Sequence, residues 1–325
     1  MSASEAAVKV SVIVTVRNEA KTIDDLLSSL TAQSRLPDEI VISDGGSTDD
    51  TAERIQRWID LGHPIRLLNC PGANIAAGRN RAIEAATGEV IASTDAGVVL
   101  EAHWLERLTA PFGEGAEVSM GFFQGAPQNL FERALVAATL PDVDEIDPDS
   151  FVPSSRSIAY TRSAWQAVKG YPEWLDYCED VVFDLALRSA GFRFAWRPDA
   201  VAFYRPRTSV RSYARQYFYY ARGDGKARLW PRRQVARYLT YTVAPLVAIA
   251  GFWYKQGWLA LLVGTAIYLN RPFRRLARST LGLPAAERVV AFGYVPYLRL
   301  IGDVARIIGY PVGVWWRRRQ ERTHG

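Results

Sequence analysis

Cysteine is nearly absent, with Cys70 and Cys178 the two in 325 residues. So low a count excludes a disulfide framework, and their separation excludes the paired spacing of a zinc site. Both are read as free buried thiols in a reducing cytosol. No basic segment followed by an apolar core opens the sequence, so a cleaved secretory leader is not expected. The G-x-G-x-x-G turn of dinucleotide-binding proteins is also missing, because the first apolar run leads into Arg17-Asn18-Glu19-Ala20. A nicotinamide cofactor is set aside on that ground. Acidic residues are scarce in the last third: Arg205–Gly325 holds 22 Lys/Arg against 4 Asp/Glu, whereas Met1–Tyr204 holds 17 against 30.

That division lies hidden beneath a net charge of +5. A basic C-terminal third calls for an anionic partner, either nucleic acid or lipid. The residues between its cations are long apolar runs rich in Trp and Tyr, which membrane interfaces favour and nucleic-acid arms do not need. An anionic membrane surface is therefore expected, and nucleic acid is not. The apolar fraction of 49% is ample for a large core.

Over the first half, short β-branched runs alternate with helical patterns. Val8–Val16, Ile40–Ser43, Ile65–Leu68 and Val90–Thr94 read as strands buried on both faces. Thr22 to about Gln33, the stretch from Ser47 or Thr48 towards Leu61, and Asn74–Ala86 read as the helices between them. This alternation predicts an α/β fold with a mostly parallel sheet flanked by helices, and such sheets bind ligands at the carboxyl ends of their strands. Asp44 and Asp95 both fall there. Beyond Asp95 the pattern is less regular. Short helices are read at Trp104–Leu108 and Ala164–Val168, a helix at Leu130–Leu140 and an acidic loop at Pro141–Pro153. Strands are read at Val118–Phe123, Ser157–Thr161, Arg193–Trp196 and Ala200–Tyr204, and Glu179-Asp180 opens a helix through about Ala190.

From Ser209 the chain becomes basic and aromatic, in a helix read as ending at Gly223. Its Arg211, Arg215 and Arg222 fall roughly on one side. Tyr238–Tyr254 and Trp258–Asn270 are uncharged and flanked by arginines, the pattern of a helical hairpin entering a bilayer from the cytoplasmic side. A full span needs about 20 residues. The second run is shorter and Pro245 interrupts the first, so a tilted or re-entrant hairpin is the alternative. Val289–Trp316 carries Arg299, Asp303 and Arg306 and reads as an amphipathic interfacial segment. The expected division is a domain over 1–228 and a basic, apolar, membrane-associated helical region over 229–325.

Four stretches in this order resemble the family 2 inverting glycosyltransferases: V-S-V-I-V-T-V-R-N-E, V-I-S-D-G-G-S-T-D-D-T, S-T-D-A-G followed by W-L-E-R-L, and C-E-D-V-V-F-D-L-A-L-R-S-A-G-F. The resemblance covers about Lys9–Gly225 and implies the GT-A fold, a nucleotide-sugar donor carrying UDP or GDP, and a hydroxyl acceptor on a lipid-linked or membrane-proximal glycan. It puts Asn18 and Glu19 beside the nucleotide, Asp44 on the base and Arg79 at the diphosphate. Asp95 matches the first position of the family's Asp-x-Asp motif, which helps to hold a metal-bound diphosphate. Gly97 replaces the second Asp, so a divalent metal, Mg2+ or Mn2+, would have Asp95 as its protein ligand and little else.

Asp180 matches the family's catalytic base, with Glu179 beside it. A carboxylate there takes the acceptor hydroxyl's proton as the oxygen attacks the anomeric carbon. With the metal motif weakened, Arg215 and Arg222 become the expected neutralisers of the departing diphosphate. Gln216 is followed by Tyr217-Phe218-Tyr219-Tyr220 rather than by the Gln-x-x-Arg-Trp of processive synthases, so processive synthesis is not expected. The reading from another class is a non-catalytic nucleotide-sugar sensor or membrane scaffold, which Gly97 favours and Glu179-Asp180 opposes. The expected location is the cytoplasmic face of the cell membrane.

Overall fold

The computed structural model describes residues 8–324. In chain order the first elements are β1 (Val10–Val16), α1 (Ile23–Thr31), β2 (Glu39–Asp44), α2 (Thr51–Asp60), β3 (Ile65–Asn69), α3 (Ile75–Ala85) and β4 (Val90–Asp95). Then follow β5 (Val98–Leu100), α4 (Trp104–Thr109), β6 (Val118–Gly125), α5 (Leu130–Thr139), β7 (Ile158–Thr161), α6 (Arg162–Ala167), α7 (Glu179–Ser189) and β8 (Phe194–Tyr204). The remainder is helical: α8 (Val210–Lys226), α9 (Pro231–Ala250), α10 (Gln256–Ser279) and α11 (Ala285–His324).

Alternation along β1 sets the first core. Val10, Val12 and Val14 face one side of the sheet and pack with Ile23, Leu26, Leu27 and Leu30 of α1, while Ile13 faces the other side with Ala76, Ala82 and Ile83 of α3. A strand with both faces covered needs apolar residues at successive positions, which is why β1 reads as an unbroken run. Gly78 lets α3 lie close to the sheet, since a Cβ there would sit 3.1 Å from both Thr15 and Ser43 side chains.

The strand order is β3-β2-β1-β4-β7-β6-β8-β5. β3, β2, β1 and β4 are parallel, as the alternating pattern predicts. Beyond β4 the sheet is mixed rather than mostly parallel: β7 is antiparallel to β4 and β6, β8 runs parallel to β6, and β5 is antiparallel to β8. Parallel neighbours need a crossover packed on the sheet. The helix after β6, α5, belongs instead to a second compact unit, and β7 returns antiparallel.

Two compact units divide the chain, one of residues up to 126 with 143–205, the other of 127–142 with 206–325. This differs from a boundary after residue 228, because α5 and the arginine-bearing α8 fall in the helical unit. In that unit Ala134, Leu135 and Ala138 pack with Tyr213, Leu276, Val295 and Leu298. α8 meets α11 through glycines: a Cβ on Gly225 would collide with Tyr310 O, and one on Gly313 with Arg222 O.

The two apolar runs of the C-terminal third are helices, longer than their uncharged cores because α10 continues through Arg271–Arg278 and α9 begins at Pro231. No helix among the described residues is long and apolar enough to cross a membrane. The expected hairpin span is therefore not a feature of α9 and α10. Asp303, read as one charge of an interfacial segment, is 5% exposed and turns into the helical unit.

Candidate active site

Three strand ends meet at one edge of the parallel half. Val16 pairs with Asp44, and Thr15 with Asp95, so β1 ends between the two aspartates. The loops that follow are knitted together. Asn18, in a left-handed conformation (φ 57°), donates its backbone N–H to Ser47 Oγ (2.9 Å) and accepts from Thr48 N (2.8 Å) on its Oδ1. Glu19 N donates to Thr51 Oγ1 (2.8 Å), and its carboxylate Oε2 accepts from Thr22 Oγ1 (2.8 Å). Asp44 Oδ1 accepts from Gly46 N (3.0 Å), Ser47 N (2.8 Å) and Ser47 Oγ (2.8 Å). One oxygen of Asp44 thus shapes the D-G-G-S turn.

Arg79 departs most from its expected role at the diphosphate. Its side chain is 2% exposed. Nη2 donates to Asp95 Oδ1 at 2.7 Å and Nη1 to Glu179 Oε1 at 2.6 Å, while the guanidinium lies over the Tyr171 ring, 5.3 Å from its centroid. Asn74 caps α3 by accepting from Ala77 N (2.9 Å), and Gly78 brings that helix onto the sheet, which carries Arg79 beneath the end of β4. Tyr171 is stacked in turn on Phe183 of α7, with centroids 4.1 Å apart. Arg79 therefore acts as a fixed tie between Asp95 and Glu179.

A second cation stands at Asp95. Arg156 Nε lies 3.7 Å from Asp95 Oδ2, and its guanidinium stacks over Tyr204 (4.8 Å) and Phe123 (5.5 Å). Thr94 Oγ1 donates to Arg156 O (3.0 Å), which holds this residue beside β4. Burial pushes the Asp95 carboxyl up, but Arg79 and Arg156 outweigh it and hold the group below the usual aspartate range. Nothing in the S-S-R-S stretch marks Arg156 in advance, because its partners come from β4, β6 and β8.

Glu179, Asp180 and Asp184 form the acidic face of α7. Glu179 and Asp184 are buried, whereas Asp180 is half-buried and accepts from Val181 N (2.9 Å). Burial and the neighbouring Asp180 carboxylate push Glu179 up to about 7 against the pull of Arg79. The ion-pair distance of 2.6 Å and this rise look opposed; the rise wins because a buried carboxylate beside a second one loses more hydration than one shared guanidinium restores. Burial, followed by Asp180, raises Asp184 well above the aspartate range, and its Oδ2 has no hydrogen-bond partner. Asp184 escapes a reading by motif, although its i,i+4 spacing from Asp180 is visible in E-D-V-V-F-D.

Arg215 and Arg222 lie on α8 in the helical unit, where both stack on Tyr219, at 5.6 and 4.7 Å. The structure groups Asn18, Glu19, Asp44, Arg79, Asp95, Glu179 and Asp180 within the other unit.

The side chains at Asp95 do not fit a resident divalent ion as they stand. Both Asp95 oxygens face guanidinium groups, and Gly97, at φ 78°, brings no oxygen to the site. A Cβ on Gly97 would lie 3.8 Å from Glu19 Oε2, itself held by Thr22. Among the described residues no group of three or more His, Cys, Asp or Glu is placed to hold a metal.

Residues 11–166 match the family described as Glycosyl transferase family 2. Over that stretch the chain is similar to family 2 glycosyltransferases. The succinoglycan biosynthesis protein ExoA of Rhizobium meliloti is 28% identical over 269 residues, covering 77% of this chain and 80% of the relative. The pre-mycofactocin glycosyltransferase of Mycobacterium tuberculosis is 27% identical over 79% of this chain and 53% of its own length. The fold resembles that of the mannosyltransferase PcManGT from Pyrobaculum calidifontis, solved with GDP-Man and Mn2+, at a TM-score of 0.61 and 19% identity over 92% of this chain and 87% of that one.

Proposed function

We propose that this chain is a family 2 glycosyltransferase, an inverting hexosyltransferase that moves a sugar from a UDP- or GDP-linked donor to a hydroxyl of a lipid-linked or membrane-proximal glycan. The observation that carries this reading is the Asp95–Arg79–Glu179 tie, which fixes the donor-side carboxylate and the start of α7 in one frame. Asn18, Glu19 and Asp44 contribute the nucleotide end of the pocket and Asp95 the ribose and diphosphate end. The half-buried Asp180 is the base: its carboxylate takes the acceptor hydroxyl's proton as that oxygen forms a bond to the anomeric carbon. The bond from that carbon to the diphosphate breaks on the opposite face, the nucleoside diphosphate leaves with the electron pair, and the configuration inverts. Glu179 keeps Arg79 in place and holds negative charge near Asp180. Arg156, beside Asp95, is the cation assigned to the charge of the departing diphosphate.

Membrane association at the cytoplasmic face is supported by the exposed Phe252, Trp253, Tyr254 and Trp258 between basic flanks. The alternative, a nucleotide-sugar-binding scaffold or sensor without turnover, draws on Gly97 and on the two arginines that occupy Asp95. Asp180→Asn separates the two. Transfer should fall by about a thousandfold or more while donor affinity stays within about threefold. Unaltered transfer by this variant rejects Asp180 as base, and absence of transfer by the wild-type chain across UDP- and GDP-sugars favours the scaffold.

A further inference from the structure

Within the helical unit, α9, α10 and α11 line an open-sided cavity of about 900 Å3. Its lining changes character along its length. Arg233, Arg237, Tyr268, Arg299, Asp303 and Arg306 line one end, and Ala244, Pro245, Ala248, Ala260, Leu261 and Gly264 line the other. From Arg233 to Ala248 the cavity follows α9 for about 22 Å, at 1.5 Å per residue.

The polar end has more positive charge than it can use internally. Asp303 is its one carboxylate and is fully engaged: Oδ1 accepts from Arg237 Nε (2.9 Å) and faces Arg306 Nη1 (3.7 Å), while Oδ2 accepts from Tyr241 OH (3.0 Å) and Tyr268 OH. Arg299 stacks on Tyr268 at 4.3 Å and donates through Nη1 to Ala138 O (3.1 Å), leaving a buried Nε with no partner. Four guanidinium groups against one carboxylate in a partly enclosed space call for an anion. The apolar end asks for hydrocarbon. Small side chains leave the volume there, and Thr240 and Thr265 are the hydroxyls that line the cavity beside them. It lies at the end of α9 and the start of α10, where Phe252, Trp253 and Tyr254 are more than 70% exposed.

We infer that this cavity binds a phosphate-bearing amphiphile, with the phosphate on Arg233, Arg299 and Arg306 and one long hydrocarbon chain along Ala244, Ala248, Ala260 and Gly264. The inference deepens the acceptor side of the proposed function and rests on that reading for its biological role, but occupancy is measurable with no donor present.

The test is calorimetric titration of the full chain with dodecyl phosphate below its micelle concentration, beside inorganic phosphate and dodecyl maltoside. Dodecyl phosphate should bind about tenfold or more tightly than either of the others. A Cβ at Gly264 meets nothing within 4 Å, so Gly264→Phe can fill the chain channel without a backbone clash. It should weaken dodecyl phosphate by about tenfold with an unchanged melting temperature. Arg233→Gln, at an exposed rim position, should weaken dodecyl phosphate while leaving dodecyl maltoside unaffected. Inorganic phosphate binding as tightly as dodecyl phosphate would mean a site for free anions and overturn the proposal. Equal binding of the maltoside, or unchanged affinity in Gly264→Phe, overturns it too. Sugar transfer that persists without dodecyl phosphate binding sinks this site alone; binding without transfer sinks the proposed function alone.

Discussion

Arg79 Nη1 lies 2.6 Å from Glu179 Oε1, although 100 residues separate them in the chain. Its other terminal nitrogen, Nη2, reaches Asp95. One buried cation therefore couples the end of β4 to the helix that carries the proposed base. Removing it leaves two carboxylates without their shared partner. Arg79→Met should destabilise the chain by about 3–5 kcal/mol, the usual effect of breaking a buried pair from one side. Arg79→Lys keeps the charge but cannot fork between two carboxylates, so its loss should fall between the two. Urea unfolding measures both, and a Met variant within about 1 kcal/mol of wild type would show that the tie is not structural.

Glu179 gives that tie a pH dependence. Its carboxyl is raised to about 7 in the folded chain from an ordinary glutamate value of 4.5. The raised value means that folding favours the protonated form. The group's stabilisation is complete below about 4.5 and is lost as pH rises through about 7. Between pH 5 and 7 the unfolding free energy of wild type should therefore fall more steeply than that of Glu179→Gln, by up to about 1.4 kcal/mol per pH unit. Parallel stability curves for the two proteins would rule this out.

Much of the parallel half was legible because its strands are buried on both faces and leave unbroken β-branched runs. β1, β2, β3 and β4 lie within two residues of the expected bounds. β5 was not legible: three residues, Val98–Leu100, become a strand only because β8 supplies partners. The break expected at Arg197-Pro198-Asp199 is absorbed within the single strand β8, because the register shifts between Met120 and Phe122 and no regular ladder is required there. α8 passes the expected stop at Gly223 and runs to Lys226, with Gly225 packed against α11.

The candidate site divides in the same way. Asp44, Asp95, Glu179 and Asp180 are visible from motifs because strand ends and a helix start are local features. The burial of Arg79, the approach of Arg156 and the raised Asp184 depend on which segments meet. No local spacing encodes that.

Arg156 leads to a prediction about the leaving group. It stands 3.7 Å from Asp95 Oδ2, is 23% exposed and is held by aromatic stacking, so truncating its charge should spare the fold. Arg156→Gln should lower kcat/KM for sugar transfer by about a hundredfold, the usual scale for losing one donor to developing charge. Its urea midpoint should stay near wild type. An effect confined to KM would assign Arg156 to donor binding rather than to the departing diphosphate.

Gly97 tests the cation arrangement directly. At Asp95 two guanidinium groups stand where a family motif with a second aspartate would gather a divalent ion, and the left-handed backbone at Gly97 adds no ligand. Gly97→Asp adds a carboxylate directed towards Glu19, at a conformation that aspartate tolerates better than most residues. The strain should lower stability by about 1 kcal/mol. The new oxygens should tighten Mn2+ binding by about tenfold or more, read by titration of the purified chain with the metal alone. Wild-type transfer should fall by less than about threefold in EDTA, whereas Gly97→Asp should gain a dependence on added Mn2+. Complete loss of wild-type transfer in EDTA, restored by Mn2+, would show that the arginines at Asp95 do not substitute for a metal.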